Sequence, residues 1–197
     1  MKKVICMLSG ILISIVVTGL MVNAKERELQ RELAGEVFRF HVLANSDSNE
    51  DQTLKLQVKE AVISYMKEEL PDSGNVEMTK AWASSHTDEI ESLVRELITE
   101  KGYDYEVNAE VTVCDFPDKT YGDIIFPAGE YEALRIEIGE AKGQNWWCVL
   151  YPNLCFIDAV HAVVPEKGKR ELREALDEDT YEMVTATTRF KIGWFFF

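Results

Sequence analysis

The chain has 197 residues, a formal net charge of −14 and a hydrophobic content of 46%. The length suits one compact domain, and the apolar content is too high for a disordered chain. The acidic excess disfavours nucleic acid and anionic membranes as partners, because both require a cationic protein surface.

The N-terminus has the features of a secretory leader. Two lysines precede an uncharged apolar run over residues 4–22, and a small-x-small cleavage site ends at Ala24. We predict a signal peptide at residues 1–24 and an exported domain at residues 25–197. An uncleaved anchor is the alternative, because about 20 apolar residues are enough to span a bilayer. The predicted membrane contact is through the leader alone, if it stays uncleaved.

The first elements after the leader are a strand and a helix. Apolar and polar residues alternate over residues 37–43, which predicts a β-strand. The apolar spacing over residues 54–66 predicts a helix, and Ser48 or Asn49 is placed to cap its N-terminus.

A second helical stretch is predicted over residues 79–101. Ser85 and Asp88 have capping-box spacing, which favours a break within it, and Gly102 is placed to end it. Asp72-Ser73-Gly74 before this stretch matches the short signature of aspartic proteases. That chemistry requires two such carboxylates in one cleft, and the sequence has no second copy, so we interpret the triplet as a turn.

The clearest strand covers residues 103–114, where apolar and polar side chains alternate throughout. The alternation predicts a sheet with one packed face and one face in water. Two more strands are predicted over residues 131–138 and 145–151, and the glycines between them favour a hairpin.

The remaining segments give weaker signals. Residues 115–122 and 127–129 have the composition of loops, and residues 169–179 suggest a short charged helix. The apolar stretch 156–164 is of undefined type. The aromatic run 194–197 is either a docked last strand or an apolar tail for a partner or membrane.

Together these elements predict an α+β fold. A strand, two helices and then several strands indicate a single domain with a mostly antiparallel sheet. The two main helices are expected to pack on one face of that sheet.

Residues 145–155 contain two of the four tryptophans and two of the four cysteines. Export would expose the chain to oxidising conditions, and Pro152-Asn153 is a turn signal, so we predict a disulfide between Cys148 and Cys155. Two reduced cysteines buried beside aromatic rings are the alternative.

Trp146 and Trp147 should face opposite sides of the predicted strand. Either one of them is exposed as an anchor for a protein partner, or both are buried, one against each layer.

Polar residues His41, Asn45, Ser46 and Asp47 cluster at a predicted strand end, where catalytic groups often lie. They allow a nucleophile–base pair, but we favour a helix-capping turn beside a histidine on the sheet. The three histidines lack metal-binding spacing, and the motifs of zinc hydrolases, nucleotide enzymes and esterases are missing. We therefore predict no catalytic residue, no metal and no cofactor.

Several motifs resemble the stage II sporulation protein R family. They are the segments 38–48, 54–59 and 126–136 and the Trp-Trp-Cys segment at 145–155, so the resemblance covers residues 38–155. The resemblance implies an exported signal and not an enzyme. Such a protein passes from the forespore of an endospore-forming bacterium into the space between the forespore and mother-cell membranes. There it activates a membrane-bound aspartic protease that trims the precursor of sigma factor E.

The predicted partner is thus that protease, and nucleic acid is not expected to bind. The candidate partner-binding residues are Trp146, Trp147, His41, Asn45, Ser46 and Asp47. The alternative function is an exported hydrolase that acts on cell-wall material through His41, Ser46 and Asp47. A membrane-tethered structural protein is a third possibility, and it requires that residues 4–22 stay uncleaved.

Overall fold

The structure is a computed structural model, and the part of the chain that it describes comprises residues 2–70, 74–152, 154–155, 164 and 166–185. Side chains are described from residue 10 onward, except at residues 11 and 12. The elements in this part are α1 (Lys2–Glu36), β1 (Phe38–Leu43), α2 (Asn49–Glu69), α3 (Val76–Ser85), α4 (Thr87–Glu100), β2 (Val107–Phe116), β3 (Lys119–Tyr121), β4 (Ile124–Phe126), β5 (Gly129–Ile138), β6 (Asn145–Tyr151), α5 (Glu166–Ala175) and α6 (Glu178–Thr185).

The main sheet has four strands in the order β2-β5-β1-β6, and β3 and β4 form a separate two-stranded ribbon. β5 is antiparallel to β2, β1 is antiparallel to β6, and the central pair β1 and β5 is parallel. The predicted class, a single α+β domain with a mostly antiparallel sheet, is confirmed.

The predicted hairpin of the last two long strands is wrong, because β1 lies between β5 and β6. The loop over residues 139–144 therefore crosses the end of β1 instead of turning tightly. It is held there by backbone hydrogen bonds from Gly143 N–H to Ala44 O (2.9 Å) and from Lys142 N–H to Asn45 O (3.2 Å).

Helices α2, α3 and α4 bury one face of the sheet. The apolar side chains between these helices and the sheet form the first of two buried clusters. It includes Phe38, Phe40 and Val42 of β1, as their alternation predicted. The predicted break in the second helical stretch is confirmed, since α3 ends at Ser85 and α4 begins at Thr87.

Gly102 ends α4 as predicted. Its φ of +85° is a left-handed conformation that glycine adopts without strain. Gly102 N–H donates to Thr99 O and Tyr103 N–H donates to Ile98 O, which is the Schellman pattern of helix termination.

The other face of the sheet is not simply solvated, which corrects the prediction from residues 103–114. β2 begins only at Val107 and continues to Phe116. Phe116 belongs to a second buried cluster to which β4 and helices α1, α5 and α6 also contribute. The members of this cluster are Leu33, Val37, Phe116, Ile124, Phe126, Tyr131, Ala133, Val149, Leu154, Val164, Leu172, Leu176 and Val184.

Two local predictions fail on this side of the sheet. Residues 115–122, interpreted as a loop, contain the end of β2 and the strand β3, whose three residues are too few to show an alternating pattern. The charged segment predicted as one helix forms parts of two, α5 and α6.

Among the described side chains of α1, those near its C-terminal end pack against the domain. Leu33 is buried, whereas large apolar residues of α1 such as Ile13, Leu20 and Met21 are exposed. Among the residues whose side chains are described, no helix is long and apolar enough to cross a membrane. The leader at residues 1–24 stays a prediction.

Three sequence predictions lie wholly or mostly outside the described residues. They concern the turn at residues 71–74, the apolar stretch 156–164 and the terminal aromatic run 194–197.

Candidate partner-binding site

β1 places two polar side chains on the face of the sheet that carries the second cluster. Arg39 is 0% exposed and His41 is 5% exposed. A charged or polar group removed from water is costly unless other groups compensate for the lost hydration. Their surroundings therefore define the chemistry of this face.

Arg39 lies inside a box of aromatic rings. Its guanidinium carbon is 4.2 Å from the ring centre of Phe116, 4.8 Å from that of Tyr131 and 5.2 Å from that of Phe126. Nε donates to Cys148 O at 3.0 Å and Nη2 donates to Tyr121 Oη at 3.2 Å, whereas Nη1 has no hydrogen-bond partner. Burial lowers the pKa of Arg39, and the charge interactions with Tyr121 and Tyr131 oppose that shift.

His41 and Trp147 form a stacked pair beside this box. Their ring centres are 3.8 Å apart with an interplanar angle of 16°. Phe116 touches both, at 5.8 Å from His41 and 4.7 Å from Trp147 between ring centres. Neither ring nitrogen of His41 has a hydrogen-bond partner in the part of the chain that the structure describes. The stack and Phe116 thus fix the orientation of Trp147, whose side chain is half-buried.

Burial, helped by the positive charge of Arg135, lowers the pKa of His41 from 6.5 to about 4. The Asn145 side chain opposes this shift, although its geometry is too poor for a hydrogen bond.

This pKa predicts an acid-sensitive fold. Between pH 6.5 and pH 4 the unfolded chain binds a proton that the folded chain does not bind, so stability falls as the pH falls through that window. We expect His41 to account for a loss of about 3 kcal/mol between pH 7 and pH 4, because each unit of pKa difference corresponds to about 1.4 kcal/mol. His41→Phe keeps a ring against Trp147 and should lose less stability between pH 7 and pH 4 in urea titrations. An equal loss in both proteins would contradict the assignment.

Trp146 and Trp147 face opposite layers, as their alternation predicted. Trp146 packs edge-on against Phe40 at 5.6 Å, on the side of the helices. Trp147 packs against the second cluster. Both side chains are half-buried, so the arrangement is closer to the interpretation with one tryptophan against each layer.

The predicted disulfide between Cys148 and Cys155 is present. The loop that it closes folds back along the outer side of β6, where Leu154 N–H and Cys155 N–H donate to Val149 O. Tyr121 Oη donates to Trp147 O at 3.3 Å on the same side. The free edge of β6 is therefore capped around Trp147 and Val149.

The turn at residues 44–48 makes structural hydrogen bonds. Asp51 accepts bonds from Asn45 Nδ2 (2.8 Å), Ser46 Oγ (2.5 Å) and Tyr105 Oη (3.1 Å). Ser48 caps α2 as predicted, because its hydroxyl accepts from Asp51 N–H. Burial raises the pKa of Asp51 and these hydrogen bonds lower it, with a net shift downward.

Asn45 and Asp47 also hold the crossing loop. Asn45 Oδ1 accepts from Glu140 N–H at 2.9 Å, and Asp47 Oδ1 accepts from Gln144 N–H at 2.7 Å. His41 makes no hydrogen bond to Ser46 or Asp47. The structure therefore does not bring together the nucleophile–base pair of the hydrolase alternative. The interpretation of Asn45, Ser46 and Asp47 as helix caps is also corrected, because Ser48 caps α2 and these three residues bond the Asp51 side chain and the crossing loop instead.

Other chemical features of the described residues offer neither a metal site nor a reactive thiol. No group of three or more His, Cys, Asp and Glu side chains there could hold a metal ion. A surface depression of about 390 Å³ lies between α2 and α4, against Leu56 and Leu97. Cys114 is a free, half-buried thiol, and burial raises its pKa, which disfavours the reactive thiolate.

The sequence pointed to His41 and Trp147 but not to Arg39, Phe116 or Tyr121. The alternation of β1 does place Arg39 on the same face as His41, which is a usable signal. Phe116 and Tyr121 belong to a segment that resembles a loop in composition, and nothing local predicts that it folds over β1.

Comparisons with known proteins agree with the motifs. A sequence profile for Stage II sporulation protein R (spore_II_R) matches residues 34–161. The Stage II sporulation protein R of Bacillus subtilis (strain 168) is 34% identical over 195 residues, which covers 94% of this chain and 86% of the relative. No solved structure matches the chain. The chain is thus a protein of sporulation. It belongs to the stage II sporulation protein R family.

Proposed function

We propose that the chain is an exported signal that activates a membrane-bound aspartic protease during sporulation. In this proposal residues 1–24 direct export, and residues 25–197 act in the space between the forespore and mother-cell membranes. The activated protease trims the precursor of sigma factor E in the mother cell. Family membership supports the role in sporulation.

The observation that carries the proposal is the rigid mounting of Trp147. Its ring is half-buried, stacked on His41 and in contact with Phe116. The adjacent strand edge is fixed by Tyr121 and by the disulfide loop. A large aromatic side chain that is already ordered loses little entropy on binding, which suits it as an anchor for a protein partner.

An activator works only if it binds the active state of its target more tightly than the resting state. Moving a 1:99 equilibrium to 99:1 requires about 5.5 kcal/mol of differential binding. A few well-ordered anchor residues can supply free energies of this size in protein interfaces.

The test is reconstitution of the protease and the sigma-factor precursor in a non-sporulating bacterial host, with and without this chain. Precursor processing should depend on the chain. We expect Trp147→Leu to reduce processing at least about tenfold, which corresponds to the loss of one anchor contact.

Trp146→Leu is the matched control, because it makes the same change on the same strand but on the face of the helices. It should process the precursor nearly as well as the unaltered chain at equal exported amounts. No chain-dependent processing would refute the proposed function. Equal processing by both variants would show that Trp147 does not anchor the contact with the protease.

A further inference from the structure

The outer edge of β2 is a strand edge with backbone groups directed away from the sheet. Among the described strands, β2 is terminal on its side of the sheet and pairs only with β5. Gly139 N–H donates to Glu106 O, and this pair continues the β2–β5 register by one step. Hydrogen-bonded and non-bonded pairs alternate along an antiparallel ladder. The N–H and C=O groups of Val107, Ala109, Val111, Val113 and Asp115 therefore point outward.

These outward groups have no hydrogen-bond partner among the described residues. The opposite edge of the sheet differs, because the disulfide loop and Tyr121 occupy the outward carbonyls of Val149 and Trp147. Within the described residues the sheet thus has one capped edge and one uncapped edge.

Apart from the carboxylates of Glu110 and Asp115, β2 lacks the usual protection of a free edge. Folded proteins block such edges with lysine, proline or a bulge. β2 contains no lysine and no proline, and its ten pairs with β5 follow one unbroken register. Val113 is 63% exposed on this strand. Val107 and Ala109 are buried, so the part of this regular edge that is open to another strand runs from Val111 to Asp115.

Charge indicates which strand would pair with it. The only charged residues between Lys101 and Lys119 are the carboxylates of Asp104, Glu106, Glu110, Asp115 and Asp118. Arg135 reaches Glu110 at 3.6 Å but also pairs with Glu137, so it offsets only part of this charge. The edge is therefore acidic.

The two faces of β2 set the pattern of an added strand. Val111 lies on the face of the sheet that the helices α2, α3 and α4 cover. Because side chains alternate along a strand, Glu106 and Glu110 lie on the opposite face. We propose that the outer edge of β2 binds an extended segment of a protein partner in which apolar residues alternate with lysine or arginine. This inference goes beyond the proposed function and does not depend on the identity of the partner.

A second copy of the chain fits this edge poorly. Two copies of β2 would bring carboxylates together, and like charges on adjacent strands are destabilising. The net charge of −14 adds to the repulsion.

The experiment uses the full chain in a mild detergent and two ten-residue peptides. One peptide alternates valine with lysine, and its control alternates valine with glutamate. Amide hydrogen exchange is followed at four residues of β2. The N–H groups of Val111 and Val113 point outward, whereas those of Thr112 and Cys114 are hydrogen-bonded to β5. The lysine peptide should slow exchange at Val111 and Val113 at least about tenfold, and exchange at Thr112 and Cys114 should stay slow throughout.

Val113→Pro removes one outward N–H without removing a bond to β5, and it should weaken peptide binding at least about tenfold. Val113→Thr keeps the N–H and should bind as the unaltered chain does. Exchange at Thr112 and Cys114 reports whether each variant is folded. If Val113→Pro does not fold, Val113→Lys serves instead, because it repels the lysine peptide and should weaken binding to the same extent.

Three results would overturn the proposal. They are no protection by the lysine peptide, equal protection by the glutamate peptide, and a chain that is dimeric in sedimentation but monomeric after Val113→Pro or Val113→Lys. The last result would make a second copy the occupant of the edge.

Discussion

Arg39→Ala should destabilise the fold by about 3 kcal/mol, as expected for truncating a large, fully buried side chain. The side chain is 0% exposed and fills the centre of the aromatic box formed by Phe116, Phe126, Tyr121 and Tyr131. Alanine would leave a cavity there and would remove the donors to Cys148 O and Tyr121 Oη. Urea unfolding monitored by tryptophan fluorescence measures the change.

Burial of the guanidinium charge is itself unfavourable, so its removal offsets part of the lost stability. No carboxylate is among its contacts in the described residues, and Nη1 has no partner. Arg39→Met fills most of the same space without a charge, so it should cost only about 1 kcal/mol. If the methionine variant were as unstable as the alanine variant, the attraction between the charge and the rings would dominate over packing.

Gly143→Ala should destabilise the fold by about 3 kcal/mol, as much as Arg39→Ala, because a Cβ at this position would overlap the backbone of Ser46. The crossing loop would have to move away from the turn at the end of β1. That movement would break the bonds from Gly143 N–H to Ala44 O and from Gln144 N–H to Asp47 Oδ1. Thermal and urea unfolding of the purified variant give the loss.

Gly102→Ala is the matched control for this substitution. A Cβ at Gly102 meets nothing within 4 Å, but its φ is +85°. Alanine there should cost only the strain of a left-handed residue, about 1 kcal/mol. Equal losses at the two positions would mean that the crossing loop relaxes freely around the added methyl group.

Local features of the fold were predictable because their signals are local. Ser48 could be named as a cap because its position before the apolar repeat of α2 suffices. The opposite orientations of Trp146 and Trp147 follow from the alternation of any strand. The α+β class follows from the order of such elements.

The topology was not predictable from the same signals. Gly139 and Gly143 suggested a tight hairpin, but both are required where the loop meets Asn45 and Ser46. Those contacts join segments that are far apart in the sequence, and no local pattern encodes them. The insertion of β1 between β5 and β6 is a consequence of the same long-range contacts.

The candidate site shows the same division. His41 was placed on the sheet by its alternation, but its burial depends on Trp147 and Phe116. Phe116 and Tyr121 come from a segment without a readable period. The sequence therefore indicated which strands carry the site and not what encloses it.

The disulfide loop limits the number of partner strands that the sheet can accept. A sheet with two open edges can accept a strand on each side, and repeated head-to-tail pairing would build an open filament. The Cys148–Cys155 loop closes one of the two sides. A strand that pairs with β2 then ends the assembly at one partner per molecule. Reduction of this disulfide together with Tyr121→Phe would free the carbonyls of Val149 and Trp147, and the sheet could then accept a strand on each side.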